Sequence, residues 1–320
     1  MPSLALAENS AVILQYHRFG VSEFPTTSVT IKQFESHIRH LQDGNYTILP
    51  VPHIIAALRA NQPLPDRTIG ITIDDAGRSV IKEAWPRLEK AGFPFTLFVS
   101  TDSIDQNNAR TMSWDEVRTL MNSGVTIGNH SSSHEQLWVA NGIDPKQDIL
   151  NAQERFKSEL GFMPVLFAYP YGEYNSEIRL LTEQLGFEAA FGQNSGVINN
   201  NSDYYTLSRF SLNEAYGDIK RFQLIVDTLP ISVTDLTPSD PIVKINPPHI
   251  GFTLNKNLEN IDNIACYASN QGAVKVELLG TNRVELRLSK SLVQGRTRVN
   301  CTLPGPDNRW RWLGMQFIVP

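Results

Sequence analysis

The stretch Thr68-Ile-Gly-Ile-Thr-Ile-Asp-Asp-Ala-Gly77, "TIGITIDDAG", carries an apolar strand pattern straight into two adjacent carboxylates. The run reads as a strand, and the doublet Asp74-Asp75 sits where it passes into a loop. A solvated turn is the plain reading of an Asp-Asp pair taken by itself. What lies on either side makes the pair more than that. From Val12 to about Val226 apolar runs alternate with amphipathic segments, the pattern of βα units around a mostly parallel sheet.

The expected strands are "AVILQYH" (11–17), "TIGITID" (68–74), "FTLFVS" (95–100), "GVTIGNH" (124–130), "VLFAYPY" (165–171) and "FEAAFG" (187–192). Between them, "SVIKEAWPRLEKAG" (79–92), "SWDEVRTLMNSG" (113–124), "DPKQDILNAQERFKSELG" (144–161) and "SEIRLLTEQLG" (176–186) carry apolar residues at helical spacing and end at glycine. Ser113 and Glu116 have the spacing of a capping box. The whole is an α/β pattern of barrel length or slightly less.

Near "LPISVTDLTPSDPIVKINPP" (229–248) prolines cluster and helical periodicity stops. Short alternating runs follow, among them "AVKVELLG", "RVELRLSK", "TRVNCTLP" and "WLGMQFIVP", which predict a small all-β sandwich. The expected division is 10–234 for the α/β domain and 235–320 for the β module.

Bulk composition narrows the function classes. At 41% hydrophobic and 19% charged residues the chain is an ordinary globular protein, and a net charge of −5 with no basic run argues against nucleic-acid binding. No segment approaches the ~18 consecutive apolar residues of a membrane helix. "MPSLALAENSA" contains Ala5-Leu6-Ala7, which reads either as the end of a secretory signal or as a frayed terminus. Cys266 and Cys301 form a bridge if the protein is exported and remain buried thiols if it is not.

A second polar cluster follows a later strand: Ile127-Gly-Asn-His-Ser-Ser-Ser-His134. One turn of helix would bring His130 and His134 onto one face, and a serine-rich turn is the alternative. Catalytic groups of α/β barrels gather at the C-terminal ends of strands, so Asp74, Asp75, His130 and His134 are expected on one rim. One carboxylate and two imidazoles make a three-ligand set for Zn²⁺ or a similar ion, with a position left for water. The spare aspartate is then the candidate base. His17 closes the first strand and Tyr-Pro-Tyr-Gly (169–172) closes another, although core packing and a stiff turn account for them equally.

Taken together, these residues resemble the polysaccharide deacetylases of carbohydrate esterase family 4, the NodB homology domain. That family's T-F-D-D-G motif is similar to "TIDDA" (72–76), and its H-[ST]-x-x-H motif to "HSSSH" (130–134). The likeness spans about residues 10 to 230. "YHR" and "FAYPYG" look closest to the subgroup acting on poly-β-1,6-N-acetylglucosamine, in which the domain is circularly permuted and an N-terminal histidine is the acid. The resemblance implies a distorted (β/α) barrel of about seven strands. It implies Asp75, His130 and His134 as ligands of a divalent metal, Zn²⁺ first and Co²⁺ or Ni²⁺ as alternatives, with Asp74 as general base. It implies His17 as general acid and the Tyr171 N–H as oxyanion donor.

Two positions depart from the family pattern. Ala168 stands where an arginine usually orients the base, and Ala76 replaces a glycine. Arg209, in "YTLSRFSLNE", is either a guanidinium supplied from another strand or a surface arginine.

The expected function is metal-dependent removal of N-acetyl groups from an N-acetylhexosamine polysaccharide, in the periplasm or outside the cell. The alternatives are a polysaccharide O-acetyl esterase and a glycan-binding protein that has lost turnover. Trp310, Trp312 and Phe317 read either as a sugar platform or as packing. His37, His40, His53 and His249 read as surface residues.

Overall fold

A computed structural model describes residues 9–139, 142–255 and 258–320. The "ALA" segment therefore lies outside the described residues. The larger body is a nine-stranded sheet whose main path runs Val197–Asn199, Ser10–Tyr16, Thr68–Ile73, Thr96–Val99, Thr126–Asn129, Leu166–Ala168, Ala189–Phe191. From Ser10–Tyr16 to Ala189–Phe191 every neighbour is parallel. The short strand Phe210–Ser211 also pairs parallel with Ser10–Tyr16, while Leu207, just before it, bridges to Phe191. The segment 207–211 thus links the two edges of a curled sheet.

Strand alternation explains what the sheet presents at its rim. Val12, Leu14, Tyr16, Ile69, Ile71 and Ile73 enter one core with the helices outside the sheet. Ile13 and Phe98 enter a second core on the opposite face. Gln15, Thr72 and Asp74 continue that opposite face, with Gln15 paired in register to Thr72. Apolar side chains thus give way to polar ones as the strands approach their C-terminal ends.

The helices expected at 113–124, 144–161 and 176–186 appear as Trp114–Asn122, Pro145–Leu160 and Ser176–Gln184. Ser113 and Glu116 form the capping box. Gly161 closes the second of these in the left-handed region, at φ 81°. The segment 79–92 opens with a π-helical turn, Val80–Ala84, before the α-helix Trp85–Ala91, since Pro86 belongs in a first turn rather than in a helix interior.

The C-terminal body is all β: eight strands in one run of pairings. Gly272–Leu279 pairs near its start with Ala265–Ala268 and along its second half with Arg283–Arg287, so the two halves are continuous. A single core draws Phe252 and Leu286 from one half and Val299 and Phe317 from the other. Residue 235 falls inside the strand Val233–Thr237, and Leu229–Pro230 already pairs with Trp310–Val319. Cys266 and Cys301 are directly opposite in register and disulfide-bonded.

The β module is pressed against the sheet body. A Cβ on Gly314 would lie 1.8 Å from the Ser195 carbonyl oxygen, so no other residue fits there. Asn194 Nδ2 donates to the Gly314 carbonyl at 3.0 Å, and Gln316 Nε2 to that of Gly172 at 2.8 Å. Arg296 Nη1 donates to the Tyr171 carbonyl. Trp312 packs edge-on against Phe210, Phe317 is buried, and Trp310 is exposed, so the three aromatics do not share one surface.

Candidate active site

The rim at the strand ends brings together Asp74, Asp75, His130, His134, His17 and Arg209. The ligand atoms of Asp75, His130 and His134 lie within 4.8 Å of one another. Asp75 Oδ1 is 3.2 Å from His134 Nε2 and 3.6 Å from His130 Nε2. The two histidines converge through a tight loop and not through a turn of helix: Ser131 and His134 have φ of 66° and 60°. That loop is fastened at several points. Ser131 N–H donates to Asn129 Oδ1, and the N–H groups of Ser132 and Ser133 donate to the Asp148 carboxylate at 3.1 and 3.0 Å.

The donor set suits a divalent cation. His130 Nδ1–H donates to the Ala168 carbonyl at 2.7 Å, which leaves the Nε2 lone pair facing Asp75. His130 Nε2 and Asp75 Oδ1 are both buried without a hydrogen-bond partner. Buried polar atoms are rarely left so, and two of them aimed at one point, with a third ligand beside them, match a cation site of the Asp-His-His type.

Asp74 lies at the floor of the site, fully buried. Arg209, also fully buried, grips it with both terminal nitrogens: Nη1 to Oδ1 at 2.7 Å and Nη2 to Oδ2 at 2.9 Å. Gln15 Nε2 donates to Oδ2 at 2.6 Å. Arg209 is itself held by the Gly192 carbonyl and Thr72 Oγ1, and lies against the rings of Phe98 and Phe191. Burial pushes the Asp74 carboxyl up, but Arg209, His130 and His17 outweigh it and hold the group below the usual carboxylate range. A carboxylate offers about four acceptor positions, so after three such bonds one remains open.

His17 Nε2 stands 3.9 Å from Asp74 Oδ2. Burial lowers its proton affinity, and the charges of Asp75 and Asp74 restore only part of it. Tyr171 has φ 58°, and its ring meets that of His134 edge-on at 4.8 Å. Asp75 and Ala76 are also left-handed, at 73° and 47°. Alanine at the position of the family's glycine therefore keeps the turn while accepting a conformation that costs an L-residue roughly 1–2 kcal/mol. Such backbone clusters at functional sites.

Two participants escape the sequence reading. Gln15 is hidden in an apolar run, and Asp148 in the first turn of a helix. His37, read as a surface residue, is buried, with Nε2–H donating to the Gly217 carbonyl and Nδ1 accepting from Tyr16. It holds helix Ile31–Asp43 to the sheet body and lies away from the rim. His40 is half-buried against Tyr46, and His53 and His249 are exposed.

Residues 61–190 match the family described as polysaccharide deacetylase. Among curated relatives, the Bacillus subtilis (strain 168) protein YxkH, named provisionally as a polysaccharide deacetylase, is 26% identical over 62% of this chain and 69% of its own. A poly-β-1,6-N-acetyl-D-glucosamine N-deacetylase of Staphylococcus aureus (strain MSSA476) is 24% identical over 63% of this chain and 79% of its own. The fold is shared with the Streptococcus pyogenes deacetylase PplD, whose structure was solved with acetate: the TM-score is 0.62 at 19% identity, covering 68% of this chain and 98% of that one.

Proposed function

We propose that this protein is a metal-dependent N-deacetylase of a polysaccharide containing N-acetylhexosamine units. The observation that carries the reading is the pair of unpartnered buried ligand atoms, His130 Nε2 and Asp75 Oδ1, beside a carboxylate fixed by Arg209. A divalent cation held by Asp75, His130 and His134 supplies Lewis acidity towards the acetyl carbonyl and the attacking water.

The chain's own residues supply the rest. Asp74, ionised at neutral pH and with one acceptor position open, takes the proton of the attacking water. Arg209 and Gln15 fix its plane, so that the open position points at a defined place. The Tyr171 N–H is a second donor for the carbonyl oxygen as charge develops there, a contribution of about 3 kcal/mol in comparable sites. The C–N bond breaks, acetate forms, and the leaving nitrogen takes a proton from His17. His17 Nε2, 3.9 Å from Asp74 Oδ2 at the same rim, is placed to pass that proton. Arg209 occupies the role left vacant by Ala168, which weakens the case for a glycan-binding protein without turnover. The Cys266–Cys301 bridge supports work in an oxidising compartment, periplasmic or extracellular.

The test is acetate release from β-1,6- and β-1,4-linked N-acetylglucosamine oligomers by metal-stripped protein, with and without Zn²⁺, Co²⁺ or Ni²⁺, alongside Asp74→Asn. Metal-dependent release that the variant lacks is the expected result. Stoichiometric metal binding with no acetate from any oligomer sinks the proposal and points to O-acetylated glycans or to binding alone.

A further inference from the structure

We propose that the cleft in front of the metal ligands holds a subsite for an anionic substituent of the glycan, built by Arg298 and Arg296 of the C-terminal module. The proposal rests on the polysaccharide reading above and narrows its substrate class.

The cleft has a volume of about 1070 Å³ and runs from His17, Asp75 and His134 to a far wall made by the strand Gly295–Pro304. Arg296 and Arg298 line that wall, two residues apart, with Thr297 buried between them. Alternation along a strand puts both guanidinium stems on the same face. Arg296 reaches the Tyr171 carbonyl, and the Tyr171 ring touches His134, so the pair stands one loop away from the metal ligands. That spacing suits a sugar unit flanking the one whose acetyl group reacts.

The charges around the cleft are unbalanced. Arg78 is neutralised by a two-oxygen contact with Glu116, at 2.7 and 2.9 Å. Arg296 donates to neutral oxygens of Tyr171 and Gln193, and among the described residues its one carboxylate partner is Glu173, at 4.0 Å. Arg298 Nε is buried with no hydrogen-bond partner, and among the described residues no carboxylate forms an ion pair with the side chain. Burial, together with the charge of Arg296, pushes the Arg298 guanidinium down to about 10, so it remains a cation at neutral pH. Arg298 is half-buried, and a cation whose hydration is reduced without a counterion is a ready partner for an anion. Here the open direction is the cleft. The planar fork of arginine matches two oxygens of a carboxylate or a phosphate, and both are found on glycans.

The experiment is titration calorimetry on the full chain with three oligosaccharides of equal length. One is a neutral N-acetylglucosamine oligomer, one alternates N-acetylglucosamine with glucuronic acid, and one carries phosphate on the sugar 6-position. The expected result is binding of at least one charged probe about tenfold or more tightly than the neutral one. That advantage is expected to shrink as salt is raised, to disappear in Arg298→Gln and to survive in part in Arg298→Lys. The better charged probe identifies carboxylate or phosphate as the group bound. Equal affinity for all three probes, or a preference unchanged in Arg298→Gln, overturns the proposal. If Arg298→Gln fails to fold, the salt dependence of the unaltered chain decides alone.

Acetate release from the same probes separates this idea from the reading beneath it. Charge preference without acetate from any probe defeats the deacetylase and leaves the subsite. Acetate from the neutral oligomer without charge preference does the reverse.

Discussion

Arg209 and Asp74 are separated by 135 residues in the chain, yet they meet through two parallel hydrogen bonds with neither side chain exposed to water. A buried ion pair of this geometry is costly to break from one side, because the survivor is a desolvated charge. Arg209→Met alone is therefore expected to lower stability by about 3–5 kcal/mol. Joined to Asp74→Leu it should cost far less than the two single losses added together. Urea unfolding of the four proteins checks this, and additivity would mean that the pair is not coupled.

The unpartnered atoms of His130 and Asp75 predict a ligand-stabilised fold. Metal-stripped protein should gain roughly 3 kcal/mol in Zn²⁺ at a hundred times its Kd. The gain reads as a rise in Tm that a chelator reverses. His130→Ala should abolish it. No shift with Zn²⁺, Co²⁺ or Ni²⁺ would show that the three side chains do not form a cation site.

Asp148 touches neither metal nor substrate in this scheme, but it ties down the N–H groups of Ser132 and Ser133 between the two histidines. Asp148→Ala should weaken cation binding about tenfold, the usual effect of losing a group that orients a ligand. Competition against a chromophoric chelator measures it. Affinity equal to that of the unaltered chain would show the loop to be self-supporting.

His37 predicts a pH dependence of stability. It is held neutral, its ring stacked on Phe222 at 4.0 Å, and burial depresses its pKa from 6.5 to about 4. Between those values the unfolded chain binds the extra proton, so stability rises with pH across the window. The contribution is fully present above about 6.5 and is lost as pH falls towards 4, amounting to about 3 kcal/mol. Urea midpoints across this range should fall less steeply with acid in His37→Gln. Identical slopes would place the acid sensitivity elsewhere.

The candidate cation ligands and Asp74 were legible because Asp74, Asp75 and His130 stand where apolar runs end, and His134 follows His130 at a four-residue spacing. Arg209 was legible only as a question, since a lone arginine just before a short strand gives no sign of whether it faces water. Gln15 and Asp148 gave no local signal. One is a polar residue on the inner face of an apolar strand, the other an acidic residue in a helix's first turn, where acidic residues are common anyway. Helix Ile31–Asp43 hid for a related reason: His37 takes a core position beside Phe34, Ile38 and Leu41, so the apolar stripe is interrupted. The positive φ angles at Asp75 and His134 were invisible because neither residue is glycine, whereas at Ala76 the glycine of the resembled motif pointed to one.

The contact at Gly314 bears on how such a protein can be recombined. The glycine fits against Ser195 only where the opposing backbone has matching contours, and Arg296 and Gln316 end on the carbonyls of Tyr171 and Gly172 beside the candidate site. A chimera joined near residue 230 would bring a foreign module without these partners, and its loop would lose support even if both halves folded. The seam therefore constrains inheritance: sheet body and module should travel together through gene shuffling, and changes on one side should be tolerated only with compensating changes on the other.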